Sequence, residues 1–334
     1  MATVLLDGVG AVGIRAARQL IDTPGVDRLL ITAGRPSRAG EVAASLGDRA
    51  QAVDLGPEDS LPADVDVVAA ALPAELVTPR AERALAGEVP FVSTVDEADA
   101  IGAILELDEP ARRAEVLLAT GCGLAPGLAD VLARHAAAAL DTVDEIHVAR
   151  AGAAGPASIA AVRRSRREPV FEWRDGAWRE ERHPNPELVW FPDPIGAREC
   201  APVTVGIALL VRAFPGVRCA TARLAEPLTR RFTWPGRRGV DEGWGSARVE
   251  VWGWRGQMRE SVVYGVIDRT AIAAGTVLAV AAARLAGIAP GLAARNGPAA
   301  GVHGLAALVE PVPFLADLAR RGVKAAVFEG VAVA

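Results

Sequence analysis

A glycine-rich segment near the start of the chain has the spacing of a nucleotide-binding turn. Gly8, Gly10 and Gly13 form a G-x-G-x-x-G pattern, with Ala11 and Val12 between the last two glycines. In such a turn the first glycine permits a tight bend, the second lets the backbone approach a pyrophosphate, and the third lets helix and strand pack closely. An apolar run precedes the pattern and a helical repeat follows it, which is the context that gives the motif meaning. The segment therefore predicts a dinucleotide site at a helix start, and a plain flexible turn is the alternative.

The residues after the second predicted strand indicate which dinucleotide is bound. An acidic residue there accepts the ribose 2′-hydroxyl of NAD, whereas an arginine accommodates the 2′-phosphate of NADP. Residues 29–39 contain no acid, and Gly34, Arg35 and Ser37 follow the strand. Because a guanidinium binds phosphate bidentately, we expect NADP(H) in preference to NAD(H). A solvated surface role for Arg35 is the alternative.

Four further residues stand at the ends of predicted strands, where parallel sheets bind their ligands. They are Asp54, Ala71, Leu72 and Gly121. Asp54 is placed to contact the adenine, although it is equally able to cap the next turn. We expect all four to contribute to the cofactor site.

Three residues are candidates for the chemistry itself. Asp96 follows the fifth predicted strand, where a carboxylate would stabilise a cationic imine nitrogen, or would simply complement a helix start. His183 lies in a His-Pro-Asn-Pro segment and has the side chain of an acid–base group. Tyr264, the single tyrosine, is either a proton donor or a core residue in the last predicted strand.

Two residues are candidates for substrate contact. Arg198 follows a turn that contains two prolines, and an arginine is the natural partner of an amino-acid carboxylate. Cys122 lies in the glycine-rich segment at the exit from the first predicted sheet, where it is either a thiol near the nicotinamide or a small packing residue. The three cysteines are far apart in sequence, so we expect no metal site and no disulfide framework.

Alternating strand and helix patterns must position these residues. Over residues 1–126 they predict an α/β domain built on a doubly wound, parallel Rossmann sheet that binds NAD(P). Residues 127–267 predict a second, α+β domain for substrate binding and dimerisation. Its mixed or antiparallel sheet is expected to include the strand pairs 217–224 with 228–234 and 246–254 with 258–267. Residues 268–334 predict C-terminal helices that pack back on the Rossmann domain.

The composition narrows the class of protein. The 334 residues carry a net charge of −5, so there is no general attraction to nucleic acid or to anionic membranes. No charge-free apolar run reaches the ~18 residues of a membrane span. Widely separated cysteines and a strand that starts at residue 3 lead us to expect a cytoplasmic protein without a signal peptide.

Four segments carry a resemblance to a known family. They are Gly8–Gly13 with Ala33-Gly34-Arg35, Gly121 with Leu124 and Pro126-Gly127-Leu128, the turn 191–198, and the tail 271–286 with 301–302 and 314–322. Together they resemble the saccharopine dehydrogenase-like family, which takes in carboxynorspermidine and homospermidine synthases; the second segment is similar to its G-x-x-P-G-L. Asp7 stands where the family usually has an apolar residue, and a carboxylate there suits a pyrophosphate only if it points away.

The resemblance implies a function. It implies an NAD(P)-dependent oxidoreductase that transfers hydride at a C–N bond, in an imine or secondary amine derived from an amino acid or a polyamine. It also implies a homodimer formed through the second domain's sheet. Two alternatives stay open: a catalytically silent NADP-binding sensor or scaffold, and a synthase that uses NAD(P) as a recycled prosthetic group. The substrate and the direction of reaction are not specified.

Overall fold

The computed structural model describes residues 2–56, 59–226, 243–290, 292, 300–323 and 325–328. Its strands are β1 (Ala2–Asp7), β2 (Val26–Thr32), β3 (Ala50–Ala52), β4 (Val67–Ala70), β5 (Phe91–Ser93), β6 (Leu117–Ala119), β7 (Thr142–Ala151), β8 (Val170–Arg174), β9 (Ala177–Glu181), β10 (Glu187–Trp190), β11 (Ala197–Val203), β12 (Cys219–Ala225), β13 (Trp244–Arg255), β14 (Met258–Arg269), β15 (Gly301–His303) and β16 (Ala325–Phe328). Its helices are α1 (Ala11–Ile21), α2 (Pro36–Ala44), α3 (Ala74–Ala86), α4 (Ala98–Leu105), α5 (Asp108–Arg113), α6 (Leu128–Ala137), α7 (Pro156–Ser165), α8 (Ile207–Ala213), α9 (Thr270–Leu285), α10 (Leu305–Leu308) and α11 (Pro311–Arg320).

The first sheet is parallel and follows the order β15-β6-β5-β4-β1-β2-β3. Leu5 and Leu6 point to opposite faces of β1 because side chains alternate along a strand. Both are fully buried, so the sheet is covered on both faces. This is the doubly wound Rossmann sheet that the sequence predicts, and β1 and β4 meet where the strand order reverses.

The C-terminal part of the chain completes both sheets. Helix α9 packs along α1, and a Cβ on Gly275 would lie only 2.8 Å from the Val12 carbonyl oxygen. The sequence predicts helices over residues 268–334, but the structure also has strand β15 there, which pairs with β6 as the outermost strand of the first sheet. Strand β16 joins the other sheet beside β14.

The second sheet is mixed, with the order β10-β11-β12-β7-β13-β14-β16, and the β8–β9 hairpin attached to β12. The expected pairing of 246–254 with 258–267 is confirmed by the antiparallel β13–β14 hairpin. The strand expected at 217–224 is β12, which pairs with β7 in parallel and with β11 antiparallel. Residues 228–234, its expected partner, lie outside the described residues.

Candidate functional site

The three glycines after β1 occupy three different environments. Gly8 has φ +95°, and a Cβ there would lie 2.4 Å from the Ala71 carbonyl oxygen. A Cβ on Gly13 would lie 1.8 Å from the Gly8 carbonyl oxygen, whereas a Cβ on Gly10 would meet nothing within 4 Å. Tight turn, open approach and close helix–strand packing are the three roles that a dinucleotide turn requires.

The start of α1 offers unused donors beside that open approach. The Ile14 N–H donates to the Gly10 carbonyl oxygen at 3.0 Å. The N–H groups of Ala11, Val12 and Gly13 come before it and have no acceptor within the helix. Such N–H groups, together with the helix dipole, bind phosphate. The residues present therefore fit a pyrophosphate at this position.

Residues from the end of β4 close the same turn. The Ala71 N–H donates to the Asp7 carbonyl oxygen at 2.8 Å. The Leu72 side chain would lie 3.1 Å from a Cβ on Gly8. The structure therefore brings Ala71 and Leu72 to the glycine turn, at the point where the strand order reverses.

Asp7 is buried beneath the turn and faces α3. Its Oδ2 forms a 2.7 Å ion pair with Nε of Arg80, and its side chain is 5% exposed. Burial raises the pKa of Asp7, against the lowering effect of Arg80 and Arg83. The positive charge of Arg80 neutralises the Asp7 carboxylate when it is ionised, so Asp7 does not repel an anion at the start of α1.

The segment after β2 presents an exposed arginine. Arg35 precedes α2, and Gly34, Arg35 and Ser37 are all exposed. The Arg35 guanidinium forms no hydrogen bond or ion pair with the described residues, whereas Arg38 is paired with Glu41 at 2.8 Å. Arg35 is therefore available to an external anion.

Asp54 is also exposed and follows β3, the strand beside β2 at the edge of the sheet. Its position agrees with the expected adenine side of the site, although no contact in the structure assigns it a role.

A glycine-rich loop connects the two sheets. Gly121 has φ +68° and Gly127 has φ +122°. A Cβ on Gly127 would lie 2.4 Å from the Gly123 carbonyl oxygen. The Gly127 N–H donates to Oδ2 of Asp130 at 3.0 Å, and burial raises the pKa of Asp130 to about 7. The glycines and the Asp130 carboxyl fix the path of the loop past the ends of β5 and β6.

Asp96 binds an arginine from the second sheet. Nη1 of Arg150 donates to Asp96 Oδ2 at 2.7 Å and to the Ala125 carbonyl oxygen at 2.7 Å. Arg150 is almost fully buried, while Asp96 keeps 22% of its side chain exposed. Within the described part of the chain, the other Asp96 oxygen accepts no hydrogen bond. One guanidinium thus joins the end of β5, the connecting loop and β7.

A second ion pair links the segment after β5 to α7. The Arg164 guanidinium donates to both carboxylate oxygens of Glu97, at 2.8 and 2.9 Å. Glu97 immediately precedes α4, and Arg164 lies in the last turn of α7. The pair therefore ties the C-terminal end of α7 to the carboxyl end of β5.

A cavity of about 240 Å³ lies between the end of β7 and the start of α7. Its walls include Ala151–Gly155, Ile159, Ile195, Arg198, Glu226 and Trp244. A Cβ on Gly155 would lie 3.2 Å from the Cβ of Ala11, which places this wall against the start of α1. The cavity combines an apolar lining with one cationic and one anionic side chain, which is the usual character of a small-molecule site.

Comparison with known proteins identifies the fold. No family model matches the sequence, and no curated protein matches it. Among solved structures, saccharopine dehydrogenase (L-Glu forming) from Saccharomyces cerevisiae aligns with a TM-score of 0.69 at 14% identity, over 98% of this chain and 100% of that one. The chain has the saccharopine dehydrogenase fold. C. glutamicum DAP dehydrogenase in complex with DAP (17% identity) and an engineered D-amino acid dehydrogenase bound to NADP+ (18% identity) each align with a TM-score of 0.52. Each alignment covers 96% of this chain and 99% of the other.

Within this saccharopine dehydrogenase fold, Cys122 does not lie where a substrate could touch it. Its side chain is fully buried, and its Sγ lies 3.7 Å from the Thr120 carbonyl oxygen. Burial also raises the pKa of the thiol, which keeps it protonated. Cys122 therefore packs in the protein interior and does not contact substrate.

His183 and Tyr264 are not brought to the crevice of this fold. His183 lies in the exposed segment between β9 and β10 and does not line the cavity. The Tyr264 ring packs against His135 of α6, with the ring centroids 5.3 Å apart, on the helix-covered face of the second sheet. Among the described residues, no contact supports the acid–base roles expected for His183 and Tyr264.

Sequence reasoning missed Arg150, although a signal was present. Strand alternation places Arg150 in phase with Ile146 and Val148, which are buried. An arginine in phase with core residues is rare unless it is paired. That phase was enough to predict a buried ion pair, but not its partner Asp96.

The described residues contain neither a metal-ligand cluster nor a membrane-spanning helix. No group of three or more His, Cys, Asp or Glu side chains is arranged to hold a metal ion. No helix there is long and apolar enough to cross a membrane.

Proposed function

We propose that the protein is an NADP-dependent oxidoreductase that transfers hydride at a C–N bond of an amino-acid- or polyamine-derived molecule. The observation that carries the proposal is the glycine turn, where Gly8, Gly10 and Gly13 meet the three separate steric demands of a bound dinucleotide. The fold shared with saccharopine dehydrogenase supports it.

The preference for NADP rests on Arg35. In this strand order the adenosine half extends from the glycine turn toward β2 and β3. The guanidinium of Arg35 stands at the end of β2 with no partner among the described residues, and no carboxylate in that segment would repel a 2′-phosphate. Arg35 is thus placed to bind that phosphate.

The substrate side rests on Asp96 and Arg198. When bound, the dinucleotide supplies the hydride for an imine carbon. Asp96 is held by Arg150 through one oxygen and has its other oxygen free of described partners, so it is placed to stabilise a protonated imine nitrogen. Arg198 lines the 240 Å³ cavity, where it provides a positive charge for a carboxylate. The three solved structures reported above are named for amino-acid substrates, which agrees with this assignment.

A second function has a specific observation in its favour. Cys122 is buried, and neither His183 nor Tyr264 lines the cavity. Asp96, the remaining candidate from the sequence, is not among the described residues that line it either. A redox-silent NADP-binding sensor or scaffold needs no acid–base group. A synthase that recycles its NAD(P) is the third reading.

The change Arg35→Asp tests the cofactor. Calorimetric titration should show NADPH affinity falling by at least about tenfold, because a charge-assisted bond worth about 1.5–3 kcal/mol is lost and a repulsive charge is added. NADH affinity should hold or improve. Arg38→Asp is the matched control, since Arg38 is already paired with Glu41. An unaltered NADPH-to-NADH ratio in Arg35→Asp would show that the NADP assignment is wrong.

Turnover assays distinguish the oxidoreductase from the silent sensor and from the synthase. The wild type should oxidise NADPH when supplied with a panel of imines formed from amino acids or polyamines. Binding of NADPH with no turnover on amine, imine and keto-acid panels would favour the sensor. Cofactor that survives gel filtration and shows no net redox change during product formation would favour the synthase.

A further inference from the structure

Helix α7 lies across the carboxyl ends of three strands of the first sheet. At its N-terminal end, Gly155 lies against Ala11, directly after the turn that follows β1. At its C-terminal end, Arg164 is bound to Glu97, directly after β5. The sheet order β5-β4-β1 places β4 between these two anchor points.

The dimensions agree with this placement. Two strand spacings separate β1 from β5, which is about 10 Å. The 10 residues of α7 span about 15 Å. Arg164 also lies within electrostatic reach of Glu75, in the first turn of the helix that follows β4. The helix therefore passes over the end of β4 on its way from β1 to β5.

The end of β4, over which α7 passes, is on the side of the glycine turn where the nicotinamide half of a bound dinucleotide must lie. A dinucleotide spans the point where the strand order reverses, with its pyrophosphate on α1. Its adenosine half extends toward Arg35, so its other half extends over β4 and β5. That half and α7 share the same edge of the sheet, and Ile159 of α7 also lines the 240 Å³ cavity.

Different contacts hold the two ends of α7. The N-terminal end follows β7, and Gly152 between them has φ +90°, with a Cβ position only 2.4 Å from the Trp244 carbonyl oxygen. The C-terminal end is held to the first sheet by the paired Glu97 and Arg164. Arg164 is half exposed and Glu97 is 13% exposed, so water can replace this bond when the pair opens.

We propose that α7 is a strap that closes over the nicotinamide half of the bound dinucleotide, with the Glu97–Arg164 ion pair as the catch that holds it closed. The inference rests on the proposed function, since it needs a dinucleotide at the glycine turn. It assigns a role to Arg164, one of four arginines between residues 163 and 167. Arg163, on the same helix, is exposed and has no partner among the described residues.

The test compares Arg164→Ala with Arg163→Ala. Stopped-flow displacement should show NADPH leaving Arg164→Ala about fivefold or more faster than it leaves the wild type, the size expected for a bidentate, partly exposed pair. Arg163→Ala should release NADPH at the wild-type rate. Adenosine 2′,5′-bisphosphate, which lacks the nicotinamide half, should bind the wild type and Arg164→Ala equally.

Hydrogen exchange gives a second readout that needs no cofactor. Amides of α7 should exchange faster in Arg164→Ala than in Arg163→Ala, and NADPH should slow their exchange in the wild type. Equal NADPH release from all three proteins, or an equal effect of Arg164→Ala on NADPH and the bisphosphate, would overturn the strap while leaving the proposed function intact. A wild type that binds neither ligand would overturn both.

Discussion

Two buried carboxylates near the site are compensated in different ways. Asp7 is paired with the guanidinium of Arg80. Among the described residues, the Asp130 carboxyl accepts a hydrogen bond from the Gly127 N–H alone. A backbone donor offsets the loss of hydration less than a full opposite charge does. The pKa of Asp130 accordingly rises to about 7, from an ordinary value of 3.8.

The raised pKa of Asp130 makes a prediction about stability. Between about pH 4 and pH 7 the folded protein retains a proton that the unfolded chain has released, so the free energy of unfolding falls as pH rises through that window. Asp130→Asn keeps an acceptor for Gly127 but cannot ionise. Between pH 4 and pH 7, the free energy of unfolding measured with urea should fall by roughly 2–4 kcal/mol less in this variant than in the wild type.

Asp141→Asn is the matched control for that measurement. Asp141 also accepts a backbone N–H, that of Gly256, but it is exposed. Its variant should keep the wild-type pH dependence. Identical pH profiles for Asp130→Asn and the wild type would show that Asp130 is ionised throughout the folded state.

The orientation of single side chains could not be predicted from the sequence. Asp7 was expected to be compatible with a pyrophosphate only if it points away, and it does so because Arg80 on α3 binds it. Nothing in the local sequence around Asp7 specifies that partner. The sequence left two roles open for Cys122 for the same reason, since its burial depends on how the connecting loop packs against β5 and β6.

At the scale of elements, the strand–turn–helix unit at the start of the chain was predictable because its signals are local. The apolar run, the glycine spacing and the helical repeat are consecutive in sequence, and each is satisfied by its neighbours. The α7 arginines were not predictable in this way. Whether an arginine is solvated or bound depends on a partner that is distant in sequence, as Glu97 is for Arg164.

The glycine turn makes a paired prediction. Gly13→Ala should lower the free energy of unfolding by about 1–3 kcal/mol or more, because its Cβ would overlap the Gly8 carbonyl oxygen. Gly10→Ala should change stability by less than about 1 kcal/mol, yet weaken NADPH binding, because its methyl group would occupy the approach of the pyrophosphate. Urea unfolding and calorimetric titration measure the two effects. Gly40→Ala, in an open position of α2, controls for the loss of a glycine.

Equal effects of Gly10→Ala and Gly40→Ala on NADPH affinity would contradict the assigned role of the turn. A Gly13→Ala variant as stable as the wild type would contradict the close packing of α1 on β1.

At the scale of the whole molecule, the tail joins two sheets that the sequence separates into successive domains. β15 completes the first sheet and β16 the second, so residues about 180 positions apart pair as β6 and β15. Pairings this distant leave no periodic signal, and short strands such as Gly301–His303 are too brief to show alternation. The class of fold was predictable, and the strand order at its edges was not.

The homodimer stays a prediction at this scale. Trp190 on the edge strand β10 is 66% exposed, and tryptophans are enriched at interfaces. Sedimentation equilibrium should give about twice the chain mass of 34.6 kDa. Trp190→Glu should shift the protein toward monomer, because it places a charge in an apolar contact, whereas Leu76→Glu, at an exposed position of α3, should not. A wild type that sediments as a monomer at tens of micromolar would refute the dimer.

Calorimetric titration of the wild-type protein with NADPH measures whether a nicotinamide dinucleotide binds at the glycine turn. We expect saturable binding of one NADPH per chain, with a dissociation constant of about 10 μM or lower and weaker binding of NADH. Absence of saturable binding for both NADPH and NADH would contradict it.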